Sequence, residues 1–185
     1  MTDLARLIVR LVVGGLLAGH GAQKLFGWFG GPGQRGTEGM MESMNLHPPR
    51  FWATLAGASE FGGGLLTALG ALNPFGPLGI MGAMSMATAK VHWGKPIWAG
   101  KGGAELPLTN LAAAAALALV GPGKYSIDHA LGIRLPRWIG VFGLLGLGVV
   151  LGRAMQPQLE QEPAQLETSE TDTAPTESTP EPATV

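Results

Sequence analysis

Apolar residues gather in five long blocks along the chain: roughly Leu7–Phe26, Phe51–Leu72, Gly76–His92, Glu105–Val120 and Leu135–Gly152. A helix rises about 1.5 Å per residue, so crossing a ~30 Å hydrocarbon core takes about 20 residues. The first two blocks have that length. The third and fourth are shorter and are expected to begin or end inside the protein body, while the fifth suits a further span or a partly embedded helix. The pattern predicts an all-α, polytopic membrane protein: a four-helix bundle followed by a fifth, C-terminal transmembrane helix.

The segments between blocks refine this picture. "NPFGP" at 73–77 predicts a tight turn. The stretch "GGPGQRGTEGMMESMNLHPPRF" links the first two blocks, and Thr37 to Met44 within it suits a short interfacial helix. Trp28, Trp52, Trp93, Trp98 and Trp138 fall at or just beyond the expected helix ends, where amphipathic rings favour the membrane–water interface. Gly15 with Gly19, and Gly148 with Gly152, form small-xxx-small pairs that let helices approach closely. With 30 glycines, close packing is the expected theme.

Composition agrees with a bilayer. Hydrophobic residues make up 46% of the 185 and charged residues only 14%, against roughly a quarter in soluble domains. The net charge of −1 hides a segregation. Residues 1–155 carry all 12 bases and six of the 13 acids, whereas 156–185 carry seven acids and no base. That tail, rich in Pro, Thr and Glu, cannot bury a core and is expected to be disordered. The basic body is of an ordinary kind for membrane proteins, and nothing points to nucleic acid. The absence of cysteine excludes disulfides, thiol redox chemistry and cysteine-held iron–sulfur clusters on this chain. Arg6 and Arg10 ahead of an apolar run resemble a signal peptide, but the run continues past His20 to Phe29 without a convincing small-residue cleavage site, so a retained helix is expected. Basic residues divide five against five between the two sides once Lys24 and Lys90 are set aside, so charge does not orient the chain.

The polar residues inside the blocks carry the candidate chemistry. Counting passes places His20, Lys24, Glu60, His92 and Glu105 in one half of the membrane, whichever way the protein is inserted. His20 and Lys24 are i,i+4 neighbours. Glu60 lies about nine residues into its helix, roughly 12 Å deep, on a face with Ala53, Ala56, Gly57, Gly63, Gly64 and Thr67. Such small residues belong at helix contacts, so Glu60 is expected to point inward. In the third block Gly82, Ser85, Thr88 and Ala89 lead along one face to His92, while Lys90 snorkels. Each residue also has a plain structural role to weigh. Lys24 suits a snorkelling anchor, His20 and His92 suit interface histidines, and Glu105 suits a helix-start acid. The methionines at 40–44 and 81–86 suit packing. Glu60 is different, because a carboxylate inside a span costs roughly 2.5–3.5 kcal/mol and is retained for a reason.

Four stretches resemble the DoxX family of small bacterial membrane proteins: "GHGAQKLFGWFGG", "AGASEFGGGLLTALG", "AKVHWGKPIWAGKGGAELP" and "ALALVGPGKYSIDHAL". Together they cover about residues 4–132. The resemblance implies a four-helix domain over 1–132, located in the bacterial cell (inner) membrane, with 133–155 as an added helix and 156–185 as the tail. It also implies that His20, Lys24, Glu60, His92, Glu105 and Asp128 are recurring polar positions; the helix at 133–155 and the tail at 156–185 are departures of this chain from the family's four-helix pattern. Some relatives are named as subunits of quinol-oxidising or thiosulfate:quinone oxidoreductase complexes, and others are linked to oxidative-stress assemblies.

Three functions follow for weighing. In a quinone-linked subunit, His20 and Lys24 would hold one quinone oxygen and His92 the other, Glu60 would take a proton, and Glu105 would help line the site. The electron acceptor would have to come from a partner oxidoreductase subunit. Haem or metal binding through His20, His92, Glu60 and Glu105 is a second reading, without supporting ligand spacing. The third is a non-enzymatic membrane scaffold or small-solute carrier, in contact with lipid, whose polar cluster fixes helix register.

Overall fold

The computed structural model describes residues 2–136, 138–143, 145–146 and 148–149, and within them it is helical without a strand. Six α-helices follow in order: α1 Asp3–Phe26, α2 Gly33–Ser43, α3 Pro49–Leu69, α4 Phe75–Val91, α5 Glu105–Val120 and α6 Ile127–Leu131. Residues 138–143 are helical as well. The expected tail, and the expected helix end with Gly152 of the Gly148–Gly152 pair, lie outside the described residues.

The helix ends follow local chemistry. The Thr2 hydroxyl accepts from the Ala5 N–H at 3.2 Å and starts α1 four residues before its apolar block. Gly27, at φ 72°, ends it. Pro49 in the first turn opens α3, where a missing N–H costs nothing. Its other end closes at Gly70, with the Ala71 N–H reaching the Leu66 carbonyl at 2.9 Å.

Glycine contacts show how α1 and α3 pair. A Cβ added at Gly14 would lie 2.6 Å from the Ala68 nitrogen and the Gly64 carbonyl oxygen. One added at Gly21, a turn or two further, would fall on the Phe61 backbone. Position rises along α1 as it falls along α3, so the two run antiparallel with touching backbones. α3 and α4 do likewise, with Gly63 against Gly76 and Ile80, and Gly79 against Ser59. α4 packs on α5, and α5 returns to α1, closing a four-helix arrangement. The Gly15–Gly19 pair expected at a helix contact faces open space instead. The working seam is Gly14, Ala18 and Gly21, because these continue the buried stripe that begins at Arg10 and runs through Leu17.

The centre is formed by Leu17, Ile80, Met81, Met84 and Ala114, so Met81 and Met84 pack as expected, whereas Met40 is exposed. The buried stripe of α4 is thus Gly76, Pro77, Ile80, Met81, Met84 and Ala89. Gly82, Ser85 and Thr88, expected to lead inward to His92, are only half-buried, since the flexible methionines reach Leu17 and Ala114 first. Helix α2 starts earlier than the segment at Thr37 suggested, and it rests on α1 and α3 rather than lying apart. Residues 138–143 pack through Gly140 on Pro74 and through Gly143 on Leu78.

The outside is apolar. Leu4, Ile8, Leu11, Val12 and Leu16 on α1 are all more than half exposed, and Trp28, Trp93, Trp98 and Trp138 are exposed too. The inside holds Arg10, Thr37, Glu60, Thr67 and Asp128. Lipid, not water, solvates such a surface without penalty. By length and composition α1 could cross a bilayer, whereas α5 is apolar but has 16 residues.

Candidate functional site

The glycine seam between α1 and α3 sets the position of the one buried acid–base pair described here. Glu60 is 3% exposed, and the Lys24 ammonium donates to its Oε1. Oε2 is buried without a hydrogen-bond partner among the described residues. Small residues make this possible: Ala53, Gly57, Gly63 and Gly64 surround Glu60 on the buried stripe of α3, as its sequence face suggested. A carboxylate there is half satisfied. It holds one charge-assisted bond and keeps a second oxygen capable of accepting a proton.

Helix α2 sits against both helices that carry the pair. Thr37, 0% exposed, donates to the Lys24 carbonyl at 3.1 Å and shares that proton with the Gly33 carbonyl at 2.8 Å. Gln34 bonds to Thr54 of α3 at 3.0 Å and to Glu38 within α2 at 3.1 Å. The segment read as interfacial therefore fastens to the end of α1 that carries Lys24.

The other candidates go elsewhere. His20 is exposed on α1 and does not meet Glu60 through any hydrogen bond described. Four residues of helix turn the side chain by about 40° relative to Lys24, which is enough to leave the narrow seam. His92 is half-buried and its Nδ1 pairs with the Gly102 carbonyl at 2.6 Å. Glu105 is exposed, and its Oε2 accepts from the Ala99 N–H at 2.9 Å. Both residues thereby shape the 92–105 connection. The expected common cavity of His20, Lys24, Glu60 and His92 reduces to Lys24 and Glu60. Among the described residues no group of three His, Asp or Glu comes together as a metal site would require.

Asp128 belongs to the opposite end. Its carboxylate accepts from the Leu72 and Asn73 N–H groups at 2.7 and 2.9 Å, and its own N–H donates to Gly70 at 3.1 Å. Beside it lies Arg10, which the sequence reading took as a flanking base. Arg10 is 3% exposed and donates to the carbonyls of Thr67, Ala68, Pro122 and Tyr125. It caps the C-terminus of α3 and ties it to the 121–126 connection. Its place at the head of the stripe Gly14, Leu17, Ala18, Gly21 was the signal available.

The family model of DoxX matches residues 5–93. Residues 5–93 thus form a DoxX-family region. DoxX is a family of small membrane proteins, in keeping with the apolar exterior. The DoxX match includes His20, Lys24, Glu60 and His92, and it ends before Glu105 and Asp128, short of the 132 residues the motifs suggested. No curated protein and no solved structure shows significant similarity to the chain.

Proposed function

We propose that this protein is a multi-pass subunit of the bacterial inner membrane, working within a quinone-linked oxidoreductase complex, with Lys24 and Glu60 as its proton-handling site. The carrying observation is the buried Glu60 carboxylate, held at one oxygen by Lys24 and without a partner at the other. Quinol oxidation releases two protons and two electrons. Glu60, beside the Lys24 ammonium, is suited to accept one proton in an apolar setting, and the second proton leaves through the partner subunit that takes the electrons. The chain has no cysteine to hold an iron–sulfur cluster, so the electrons pass to an acceptor on a partner subunit. Of the residues expected around the quinone, only the donor Lys24 and the proton acceptor Glu60 are juxtaposed. The residues fit one end of such a substrate, and the partner completes the rest.

A second reading has its own support. His20, His92 and Glu105 are dispersed, which favours Lys24–Glu60 as a register lock in a non-enzymatic scaffold or solute carrier. Glu60→Gln in the natively purified complex separates the two. In the quinone-linked reading, electron transfer from quinol falls by at least about a hundredfold, the scale of a lost acid–base group, while assembly and thermal unfolding are unchanged. If quinol turnover persists in proportion to folded protein, or no oxidoreductase partner co-purifies, the scaffold reading holds.

A further inference from the structure

The far end from Lys24–Glu60 carries two grooves with no part in that chemistry. One, of about 620 Å3, is bordered by Arg6, Lys124, His129 and Arg134, with Asp3 and Asp128. The other, of about 390 Å3, is lined by Pro74, Ala118, Leu119, Val120, Pro136 and Val141. Both reach Asn73 and Leu135, so the basic groove at the end of the bundle runs on into the apolar one alongside α5. Each is within the size range of ligand sites, about 300–1,000 Å3.

The charges in the basic groove are not cancelled by its acids. Both Asp128 oxygens are taken by backbone N–H groups. Asp3 Oδ1 accepts from Arg6 Nη1 at 3.4 Å and from the Lys124 N–H at 3.2 Å. Arg6 Nε is buried without a hydrogen-bond partner among the described residues, and the Lys124 and Arg134 side chains are exposed. An anion flanked by an apolar chain is what complements this pairing.

From the joined grooves we infer a binding site for one anionic phospholipid, its phosphodiester among Arg6, Lys124 and Arg134 and an acyl chain along Ala118–Val120 and Leu135, Pro136, Gly140 and Val141. The site is independent of the quinone reading, because no residue is shared with Lys24–Glu60. A neutral phospholipid offers the same chain with no net charge for the bases to meet, so it is the discriminating control.

The test is native mass spectrometry of the delipidated full-length protein, titrated with phosphatidylglycerol or phosphatidylcholine. One phosphatidylglycerol per chain is expected to bind ahead of phosphatidylcholine. Lys124→Gln with Arg134→Gln should weaken it roughly twenty-five-fold, at about fivefold per base, and leave phosphatidylcholine unchanged. Both side chains are exposed; should the double variant fail to fold, the single variants carry the same comparison at about fivefold each. Ala118→Phe, which fills the apolar groove, should also weaken phosphatidylglycerol. Equal binding of the two lipids, charge variants that bind like the wild type, an Ala118→Phe variant that binds like the wild type, or displacement of lipid by soluble glycerol phosphate would each overturn the site.

Discussion

Arg10 and Glu60 are both charged and both almost wholly buried, yet they are satisfied to different extents. Arg10 spends its guanidinium on four carbonyls from two segments, whereas Glu60 has one partner for two oxygens. A fully bonded buried ion is a structural device, and a half-bonded one is open to chemistry. Arg10→Lys is therefore expected to destabilise the fold by about 3 kcal/mol or more, because one ammonium cannot bridge carbonyls on both α3 and the 121–126 connection. Thermal unfolding of the purified variant measures this, and a wild-type midpoint would contradict the assignment. Glu60 was legible in the sequence because its neighbours at helical spacing are small. Arg10 was not, since a base near a chain start looks like a flanking charge until the stripe it heads is known.

At the scale of elements, the α1–α3 seam decides what reaches the site. Glycine count alone does not locate such a seam. Gly14 and Gly15 differ by one position, and only Gly14 touches α3. The same turn of the helix explains His20: the sequence places it in one half of the membrane with Lys24, but half-membrane position is coarser than helix face. Gly21→Ala is expected to separate the backbones and cost about 1–3 kcal/mol, the usual penalty for overfilling a tight contact. Gly19→Ala, facing open space, should be neutral or slightly stabilising. Unfolding of the pair in one detergent checks this, and equal effects would place the seam elsewhere. The helix α2 was visible as a helical segment, but its docking was not, because that depends on the buried hydroxyl of Thr37 and on the bond from Gln34 to Thr54.

For the whole molecule, an apolar exterior around charged interior residues could be anticipated from block lengths and sparse charge, and so could the order of the four long helices. What depends on tertiary packing was hidden: the dispersal of His92 and Glu105 into their own connection, and the meeting of basic and apolar grooves at the opposite end. The central claim is that Glu60 changes protonation when quinol is oxidised. Infrared difference spectroscopy of the native complex, comparing quinol with quinone, addresses it directly. The account predicts a protonated-carboxyl band that shifts with isotope-labelled glutamate and disappears in Glu60→Gln. A difference spectrum in that region identical in the wild type and Glu60→Gln would contradict it.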